Sequence, residues 1–283
     1  MEGFLQHIAA GQASYLGLPL NIENKKVLMV SFEEYYALRT ERQMKQIDKM
    51  AETVGNDDWV DNFMVNDETL PLYIATDSDW KVLENLIASS GAGFVVLDSV
   101  TRMCAHVEEA DHASSFMARL KGLAHNTKTT IVAIHHTTKL YGGPITMDNI
   151  AGSRVIVQEA DFAVGVSRSV GNKRYIKDIF TRYGQEDTET VREFTIDSNC
   201  TICLTGKTSE AKMLASFDGR TDDTNTSKIS DYLMTSEDGA DTSELENILV
   251  PQEMSRGTFY NQLRKLKNEG VITKVGGKYK IAA

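Results

Sequence analysis

The segment Phe94-Val95-Val96-Leu97-Asp98-Ser99 joins four consecutive apolar residues to an acid and a hydroxyl. A strand that is apolar on successive residues is buried on both faces, which is typical of a mostly parallel sheet covered by helices. Ligands of such sheets bind outside the carboxyl ends of the strands, so the pattern places Asp98 at the functional edge. Since buried strands often end in Asp at a turn, this segment alone leaves a purely structural role for Asp98 open.

Similar strands alternate with helical stretches on either side of this segment. The run 27–32 is apolar and β-rich, and the long segment 33–54 behind it is polar and amphipathic. Two helical stretches, residues 80–89 and 113–126, each lead into a further strand. The alternation predicts an α/β fold built from βα units, with a mostly parallel sheet and helices on both of its faces.

Beyond Asp161 the pattern changes to short β-rich runs separated by turn-forming residues. Four such runs follow one another, at residues 162–167, 175–181, 191–196 and 201–205. Consecutive strands with short connections favour antiparallel hairpins, so we expect these runs to form an antiparallel extension of the parallel sheet.

A second, smaller domain is expected after a linker. Residues 218–227 are rich in Asp and Thr and lack apolar periodicity, which is typical of a linker. We therefore divide the chain into a core at 1–218, a linker at 219–226 and a C-terminal domain at 227–283.

The C-terminal domain has the pattern of a winged helix-turn-helix. Two short helices, at 228–234 and 242–249, precede a third helix that Ser255 is placed to cap. In this third helix apolar residues recur at i, i+4 and i+7, which gives it one face for the core. The pair Gly276-Gly277 then suits the turn of a tight hairpin.

The composition predicts a folded protein of the cytoplasm. Hydrophobic residues make up 41% and charged residues 25% of the 283, which excludes a disordered or low-complexity chain. No apolar run approaches the ~20 residues of a membrane span, no secretory signal is visible, and three cysteines cannot build a disulfide framework. We therefore expect a cytoplasmic protein with no membrane partner.

The charge is unevenly distributed. The net charge of −10 argues against a surface that is basic throughout. Residues 251–283 nevertheless hold seven Lys or Arg against two Glu, so any contacts to nucleic-acid phosphates are expected in this segment.

Polar side chains follow three of the predicted strands. Glu33 and Glu34 come after the first, Asp98 after the second, and the run from His135 to Lys139 after the third. Because the carboxyl ends of parallel strands meet at one edge of a sheet, we expect these groups to lie together. A carboxylate at this edge suits Mg²⁺ held through water, and Asp98 is the candidate.

This arrangement resembles the RecA-fold ATPases, in particular the RepA-like replicative helicases among the AAA-family proteins, over most of the predicted core. The resemblance implies that Glu33 polarises the attacking water and that Asp98 holds Mg²⁺ through water, with Ser99 beside it at the cofactor. It further implies that His135 and His136 sense the γ-phosphate. Its cofactors would be ATP and Mg²⁺, and the chain would assemble into a homo-oligomeric ring or hexamer. Glu34 is the alternative base.

The sequence departs from this family at the phosphate-binding loop. No Gly-x-x-x-x-Gly-Lys-Ser/Thr occurs in the 283 residues, and residues 1–17 resemble the helix that follows this loop. We therefore expect an N-terminally truncated ATPase core that lacks the first strand and the loop, with nucleotide binding lost or impaired. The alternative is a non-enzymatic DNA-binding regulator that uses a degenerate ATPase fold as an oligomerisation scaffold. Whether this chain is an enzyme is left open at this point.

The resemblance also suggests residues that act on a neighbouring subunit or on DNA. Arg182 is preferred over Arg154 and Arg168 as an arginine finger for a neighbour's nucleotide, and a surface salt bridge is the alternative role. In RecA-like rings the loop after the histidine pair faces DNA. Lys139 and Tyr141 are therefore expected to contact a strand, with a solvated connection as the alternative.

The C-terminal domain is expected to bind DNA through its third helix and its hairpin. The residues expected to reach the major groove or the phosphates are Arg256, Thr258, Tyr260, Asn261 and Arg264 in the helix, and Lys274, Lys278 and Lys280 in the hairpin. Winged helices also serve as protein–protein modules, and that alternative stays open. The predicted function is an ATP-hydrolysing helicase or loader of plasmid, phage or mobile-element type that acts in DNA replication.

Overall fold

The chain folds into two compact units, Met1–Glu210 and Ala211–Ala283. The structure is a computed structural model. It describes residues 1–67, 69–140, 143–169, 173–184, 187–214, 228–230, 232–234, 236, 238–250, 254–268 and 271–281. In this part of the chain no helix is long and apolar enough to cross a bilayer.

The larger unit alternates helices and strands up to its centre and then continues as consecutive strands. Its elements are α1 (Glu2–Ala9), β1 (Ser14–Tyr15), β2 (Leu18–Pro19), β3 (Val27–Ser31), α2 (Tyr36–Val54), β4 (Phe63–Val65), α3 (Asp77–Ser90), β5 (Phe94–Asp98), α4 (Ala110–Thr127), β6 (Thr130–Ile134), α5 (Arg154–Glu159), β7 (Phe162–Arg168), β8 (Arg174–Thr181), β9 (Thr190–Ile196) and β10 (Ile202–Ser209). Single 3-10 turns occur at Asp58–Asn62, Val100–Arg102 and Met147–Asn149.

The centre of this unit is a parallel sheet in the order β4-β3-β5-β6. Every residue of β3 is buried. Leu28 and Val30 pack in one core cluster with α3 and α4 residues, whereas Val27 and Met29 pack in another with α1 and α2 residues. Helices therefore cover both faces, and the predicted α/β fold is confirmed.

Local capping signals fix where helix α3 begins and ends. Thr76 and Asp79 form a capping box at its start, with the Thr76 side chain accepting from the Asp79 backbone N–H. Gly91 ends the helix in a left-handed conformation with φ of 63°, which a residue without Cβ adopts at little cost. The chain then enters β5 after two residues.

The antiparallel strands form a sheet of their own, in the order β10-β9-β8-β7. We expected an extension of the parallel sheet, and that detail is wrong. Among the described residues β7 pairs only with β8, and β6 pairs only with β5. The runs of β-forming residues reveal that hairpins form, but they carry no information about which sheet the first hairpin joins.

The smaller unit contains the predicted helices and hairpin. Residues 228–230 and 232–234 are helical, and α6 (Thr242–Leu249), α7 (Arg256–Asn268), β11 (Ile272–Val275) and β12 (Lys278–Ile281) follow. The apolar stripe of α7, Phe259, Leu263 and Leu266, is buried in the core of this unit. The predicted linker at 219–226 lies outside the described residues, so the domain boundaries stay a prediction.

Candidate active site

The acids predicted after β3 and β5 come together at the carboxyl edge of the parallel sheet. Ser31 lies opposite Asp98 in the β3–β5 register, and the Phe32 backbone N–H donates to the Asp98 carbonyl at 2.8 Å. One residue further, the Ser99 hydroxyl donates to Glu33 Oε1 at 2.6 Å. The structure thus brings Glu33, Asp98 and Ser99 into one cluster.

Hydroxyl groups hold the Glu33 carboxylate in place. Ser99 Oγ and Thr101 Oγ1 both donate to Oε1, at 2.6 and 2.8 Å, and Arg102 Nε lies 3.6 Å from the same oxygen. The hydrogen bonds from Ser99 and Thr101 lower the pKa of Glu33, since they favour its ionised form. Sequence reasoning missed Thr101 and Arg102, although both follow Asp98 within four residues.

The Asp98 carboxyl has the opposite electrostatic environment. It is partly buried, and this burial, followed by the charge of Glu33, raises the pKa of Asp98. The charge of His136 acts in the other direction and favours the ionised form. The pKa of Glu33 is therefore lowered and the pKa of Asp98 is raised at the same sheet edge, and such opposite pKa shifts are common in functional sites.

The rival base, Glu34, is bound in an ion network. Arg42 donates to both of its carboxylate oxygens, at 2.6 Å to Oε2, and this hydrogen bonding lowers the pKa of Glu34. Arg42 also donates to both oxygens of the buried Glu2, at 2.6 and 2.7 Å. The network joins α1 to α2 and occupies Glu34, whereas the second oxygen of Glu33 takes no part in the contacts with Ser99 and Thr101.

The two histidines after β6 have different surroundings. The His135 ring is partly buried and its Nε2 lies 2.7 Å from the Ala151 carbonyl, to which it can only donate. Burial lowers the pKa of His135, so the ring is neutral and links the end of β6 to residue 151. His136 is exposed. It lies two residues beyond Ile134, which is opposite Asp98 in the β5–β6 register, so β6 brings the pair to the edge that carries the acids.

Asn66 and Arg39 fix the end of β3 beneath the cluster. Asn66 Oδ1 accepts from the Ser31 backbone N–H at 2.9 Å and from Arg39 Nη1 at 3.0 Å. Arg39 Nη2 donates in turn to the Asn66 carbonyl at 2.6 Å. All three residues are buried, so this network holds the strand end that carries Glu33. Nothing in the local sequence pattern indicated it.

A close backbone approach holds the segment that binds His135. The Ser153 N–H donates to the Val107 carbonyl at 2.9 Å, and Gly152 between Ala151 and Ser153 has φ of +87°. A Cβ on Gly152 would lie 2.9 Å from that same carbonyl oxygen. Only glycine satisfies both the left-handed backbone and the contact.

Replacing Gly152 by Ala is accordingly expected to destabilise the protein by about 2–4 kcal/mol, from the positive φ and the clash with the Val107 backbone. Urea unfolding monitored by circular dichroism gives the measurement. Gly122 is the matched control, because it lies inside α4 and a Cβ there would meet no atom within 4 Å. Gly122→Ala should stabilise the protein by about 0.5–1 kcal/mol. Equal stability of the Gly152 variant and the wild type would contradict this account of the contact.

The remaining candidates lie elsewhere. Arg182 donates to the carbonyls of Gln158 and Ala160, at 2.5 and 3.1 Å, and pairs with Asp161 at 3.7 Å, so it sits at the end of α5. None of these contacts reaches the Glu33–Asp98 cluster. Lys139 is exposed in the loop after β6, and Tyr141 lies outside the described residues.

The alternative arginine fingers and the C-terminal candidates lie at the surface. Arg154 pairs with Asp148 at 2.8 Å, and Arg168 ends β7 as an exposed residue. In the smaller unit Ser255 Oγ accepts from the Thr258 N–H at 3.2 Å, which confirms the predicted cap. The exposed candidates of that unit are Arg256, Tyr260, Asn261, Arg264, Lys274, Lys278 and Lys280.

Comparison with known proteins concerns the part of the chain that contains the parallel sheet. Residues 3–141, just under half of the chain, match the family model described as "AAA domain". This stretch includes strands β3 to β6 and the cluster of Glu33, Asp98 and Ser99. The candidate site therefore lies within the part of the chain that is similar to an AAA domain.

The chain is also similar to the solved structure of a KaiC-like protein from the hyperthermophilic archaeon Pyrococcus horikoshii OT3, with 13% identity and a TM-score of 0.41, over 64% of this chain and 76% of that one. No curated protein matches the chain.

Proposed function

We propose that this protein is an ATP-hydrolysing enzyme of RepA-like type that acts on DNA, as a helicase or loader in plasmid, phage or mobile-element replication. The observation that carries the proposal is the gathering of Glu33 and Asp98 at one sheet edge, to which β6 also brings His135 and His136 just beyond Ile134, the residue opposite Asp98. Attack of water on a terminal phosphate needs a group that orients the water and a carboxylate that holds the metal. This edge offers both kinds of group.

Glu33 is the base of the proposed reaction. Its Oε1 is engaged by two hydroxyls, which leaves Oε2 to accept a hydrogen bond from water, and its lowered pKa keeps it ionised near neutrality. Glu34 is less suited to this role, because Arg42 engages both of its oxygens. The contacts therefore favour Glu33 over its neighbour.

Asp98 is the residue that would hold Mg²⁺, through water, with Ser99 beside it at the cofactor. The carboxylate offers oxygen donors, which this hard cation prefers, and a cation would offset the burial and the Glu33 charge that disfavour an ionised Asp98. The donor set thus fits the ion. When bound, Mg²⁺ would supply positive charge to the phosphate oxygens of ATP.

His135 and His136 would relay the state of the nucleotide to the following loop. Thr137 and Ile150 form an isolated antiparallel bridge, and the Thr138 N–H donates to the Asn149 carbonyl at 2.8 Å, so the two ends of the loop that follows His136 lie together. The loop begins next to His136. We assign Lys139 and Tyr141 in this loop to contact with a DNA strand.

The smaller unit is proposed to bind DNA as a winged helix. Its α7 presents exposed Arg256, Asn261 and Arg264, and the β11–β12 hairpin carries exposed Lys278 and Lys280. Positive side chains on a helix and on the adjacent hairpin suit a groove flanked by phosphates. Thr258 and Lys274 complete the proposed surface.

In the proposed assembly the chain forms a homo-oligomeric ring, and Arg182 reaches the nucleotide of a neighbouring subunit. Its contacts with the carbonyls of Gln158 and Ala160 would hold the guanidinium in one place at the surface. A fixed cation of this kind can stabilise charge on a transferring phosphoryl group in trans.

Asp98→Asn tests the metal-dependent part of the proposal. Because the 283 residues contain no Gly-x-x-x-x-Gly-Lys-Ser/Thr, the wild type should bind a fluorescent ATP analogue weakly, and only with Mg²⁺ present. The variant should lose this Mg²⁺-dependent binding. Asp148→Asn, which removes an exposed carboxylate paired with Arg154, is the control and should bind as the wild type does. Duplex binding by a wild type that neither binds nor hydrolyses ATP would contradict the enzyme and favour the scaffold alternative.

The same variant should be more stable than the wild type at neutral pH. The pKa of Asp98 is raised in the folded state, so stability is lost as the pH rises from the ordinary Asp pKa through the higher folded-state pKa. Asn has no such loss, so its Tm at pH 7 should exceed that of the wild type. The difference should shrink as the pH falls below about 4, the ordinary pKa of Asp, because Asp98 is then protonated in both the folded and the unfolded state. A Tm difference independent of pH would contradict the assigned environment of Asp98.

A further inference from the structure

A carboxylate on α6 engages two of the residues proposed to face DNA. Glu246 Oε1 lies 2.5 Å from Arg256 Nε, and Glu246 Oε2 accepts from the Tyr260 hydroxyl at 2.5 Å. Arg256 and Tyr260 are one helical turn apart on α7, so a single side chain spans the exposed start of this helix. The hydrogen bond to Glu246 is also the main cause of the raised pKa of Tyr260.

The pair changes the charge that α7 offers to DNA. A carboxylate next to a guanidinium cancels its net charge, so Arg256 contributes little to phosphate neutralisation while the pair is formed. The Glu246 side chain is 18% exposed and Arg256 is 73% exposed, so the acid lies beneath a cation that remains open to solvent. Arg264 lies two turns further along the same exposed face, and Glu246 makes no described contact with it.

We propose, on the basis of the DNA-binding function put forward above, that Glu246 limits sequence-independent phosphate binding by occupying Arg256 and Tyr260. Phosphates would then be neutralised mainly by Arg264 and the hairpin lysines. A duplex phosphate competes with Glu246 for Arg256, because both are anions that a guanidinium binds through charge-assisted hydrogen bonds. Removal of the acidic charge therefore strengthens binding to any duplex, whatever its sequence.

Glu246→Gln in the full 283-residue chain is the test, with binding to a labelled duplex of mixed sequence followed by fluorescence anisotropy over a range of salt concentrations. Gln preserves an acceptor for Tyr260 but carries no charge. The affinity at low salt is expected to rise about fivefold, which corresponds to about 1 kcal/mol for an exposed ion pair. The slope of log affinity against log salt should steepen by about 0.9, the value for one additional phosphate contact.

Glu244→Gln is the matched control. Glu244 lies on the same helix and makes the same type of contact, accepting from the Tyr232 hydroxyl at 3.2 Å, but it does not touch α7 through Arg256 or Tyr260. Both single variants change the net charge equally, so only the position of the charge differs. The double variant Glu246→Gln/Arg256→Gln should return to wild-type affinity or below, since the cation that was set free is then absent.

The outcomes separate this inference from the proposal on which it rests. DNA binding stands if the wild type binds the duplex and Arg264→Gln weakens that binding. If Glu246→Gln and Glu244→Gln then have the same affinity for the duplex, the role of Glu246 is refuted. If no variant shows salt-dependent duplex binding, Glu246→Gln included, the DNA-binding function itself is refuted, and the role of Glu246 with it.

Discussion

Lys177→Met is expected to destabilise the larger unit by about 3–5 kcal/mol, because it leaves the buried carboxylate of Glu210 without its cation. Both side chains are almost fully buried, at 7% and 6% exposure, and they form a direct ion pair. A charge in such a place is costly unless it is paired and hydrogen-bonded. The measurement is the free energy of unfolding in urea at neutral pH.

The magnitude follows from the number of groups that this pair satisfies. Lys177 Nζ donates to the Ile145 carbonyl at 3.0 Å, and Glu210 Oε1 accepts from the Ile145 N–H at 2.9 Å and from the Tyr175 hydroxyl at 3.0 Å. Tyr175 is completely buried, and this burial raises its pKa to about 12. Loss of Lys177 therefore leaves both an unpaired carboxylate and a carbonyl without its donor, each of which costs free energy.

A double variant isolates the charge from the hydrogen bonds. In Lys177→Met/Glu210→Gln the amide oxygen still accepts from Tyr175 and Ile145, but no buried charge is left unpaired. We expect this chain to recover about 2–3 kcal/mol of the loss. Lys173→Met is the surface control, since Lys173 pairs with Glu193 while 54% exposed, and it should cost less than about 1 kcal/mol. A single variant at Lys177 that is no less stable than this control would show that the pair contributes nothing.

The ion pair also positions the loop that follows the histidines. Ile145 is completely buried, and its backbone N–H and carbonyl are both bound by the pair. At the other end of this region His135 binds the carbonyl of Ala151. The loop is thus fixed to the antiparallel sheet at one point and to the end of the parallel sheet at another.

The parallel sheet could be predicted because its signal is local. In β3 and β5 every position in a run of apolar residues is buried or nearly so, and an unbroken run is the direct consequence of helices on both faces. The polar residues that end these strands also follow from local pattern. The order of residues alone is therefore enough to place Glu33 and Asp98 at the same edge of the sheet.

The environment of those acids could not be predicted, because it depends on contacts between distant segments. The hydroxyl donors to Glu33 are Ser99 and Thr101, which lie 66 and 68 positions further along the chain. Those contacts exist only because Ser31 lies opposite Asp98, a register that the apolar runs do not encode. The ion pair of Lys177 with Glu210 likewise joins residues that are 33 positions apart in the chain. Tertiary pairing rather than local propensity decides which polar groups meet.

Glu33→Gln is expected to slow ATP hydrolysis by about 10²–10⁴-fold, the contribution of a positioned general base, or about 3–5 kcal/mol of transition-state stabilisation. The amide keeps the size of the side chain and can still accept from Ser99 and Thr101, but it cannot take a proton from water. The measurement is kcat/KM for Mg·ATP, because the weak binding expected of this chain prevents saturation. Glu34→Gln should reduce turnover far less, because the contacts of Glu34 run to Arg42. The opposite ranking of the two variants would assign the base to Glu34.

The pH dependence distinguishes a base held by hydroxyls from an acid that only maintains local structure. The hydrogen bonds from Ser99 and Thr101 lower the pKa of Glu33, so the wild type should lose turnover through this group only below its ordinary value of about 4.3. In Ser99→Ala/Thr101→Ala those bonds are absent, the pKa of Glu33 rises, and the acid limb of the kcat/KM profile should move to higher pH. In Glu33→Gln this limb should disappear from the residual activity. A profile that is identical in all three proteins would mean that Glu33 takes no proton in the reaction, however much its loss slows turnover.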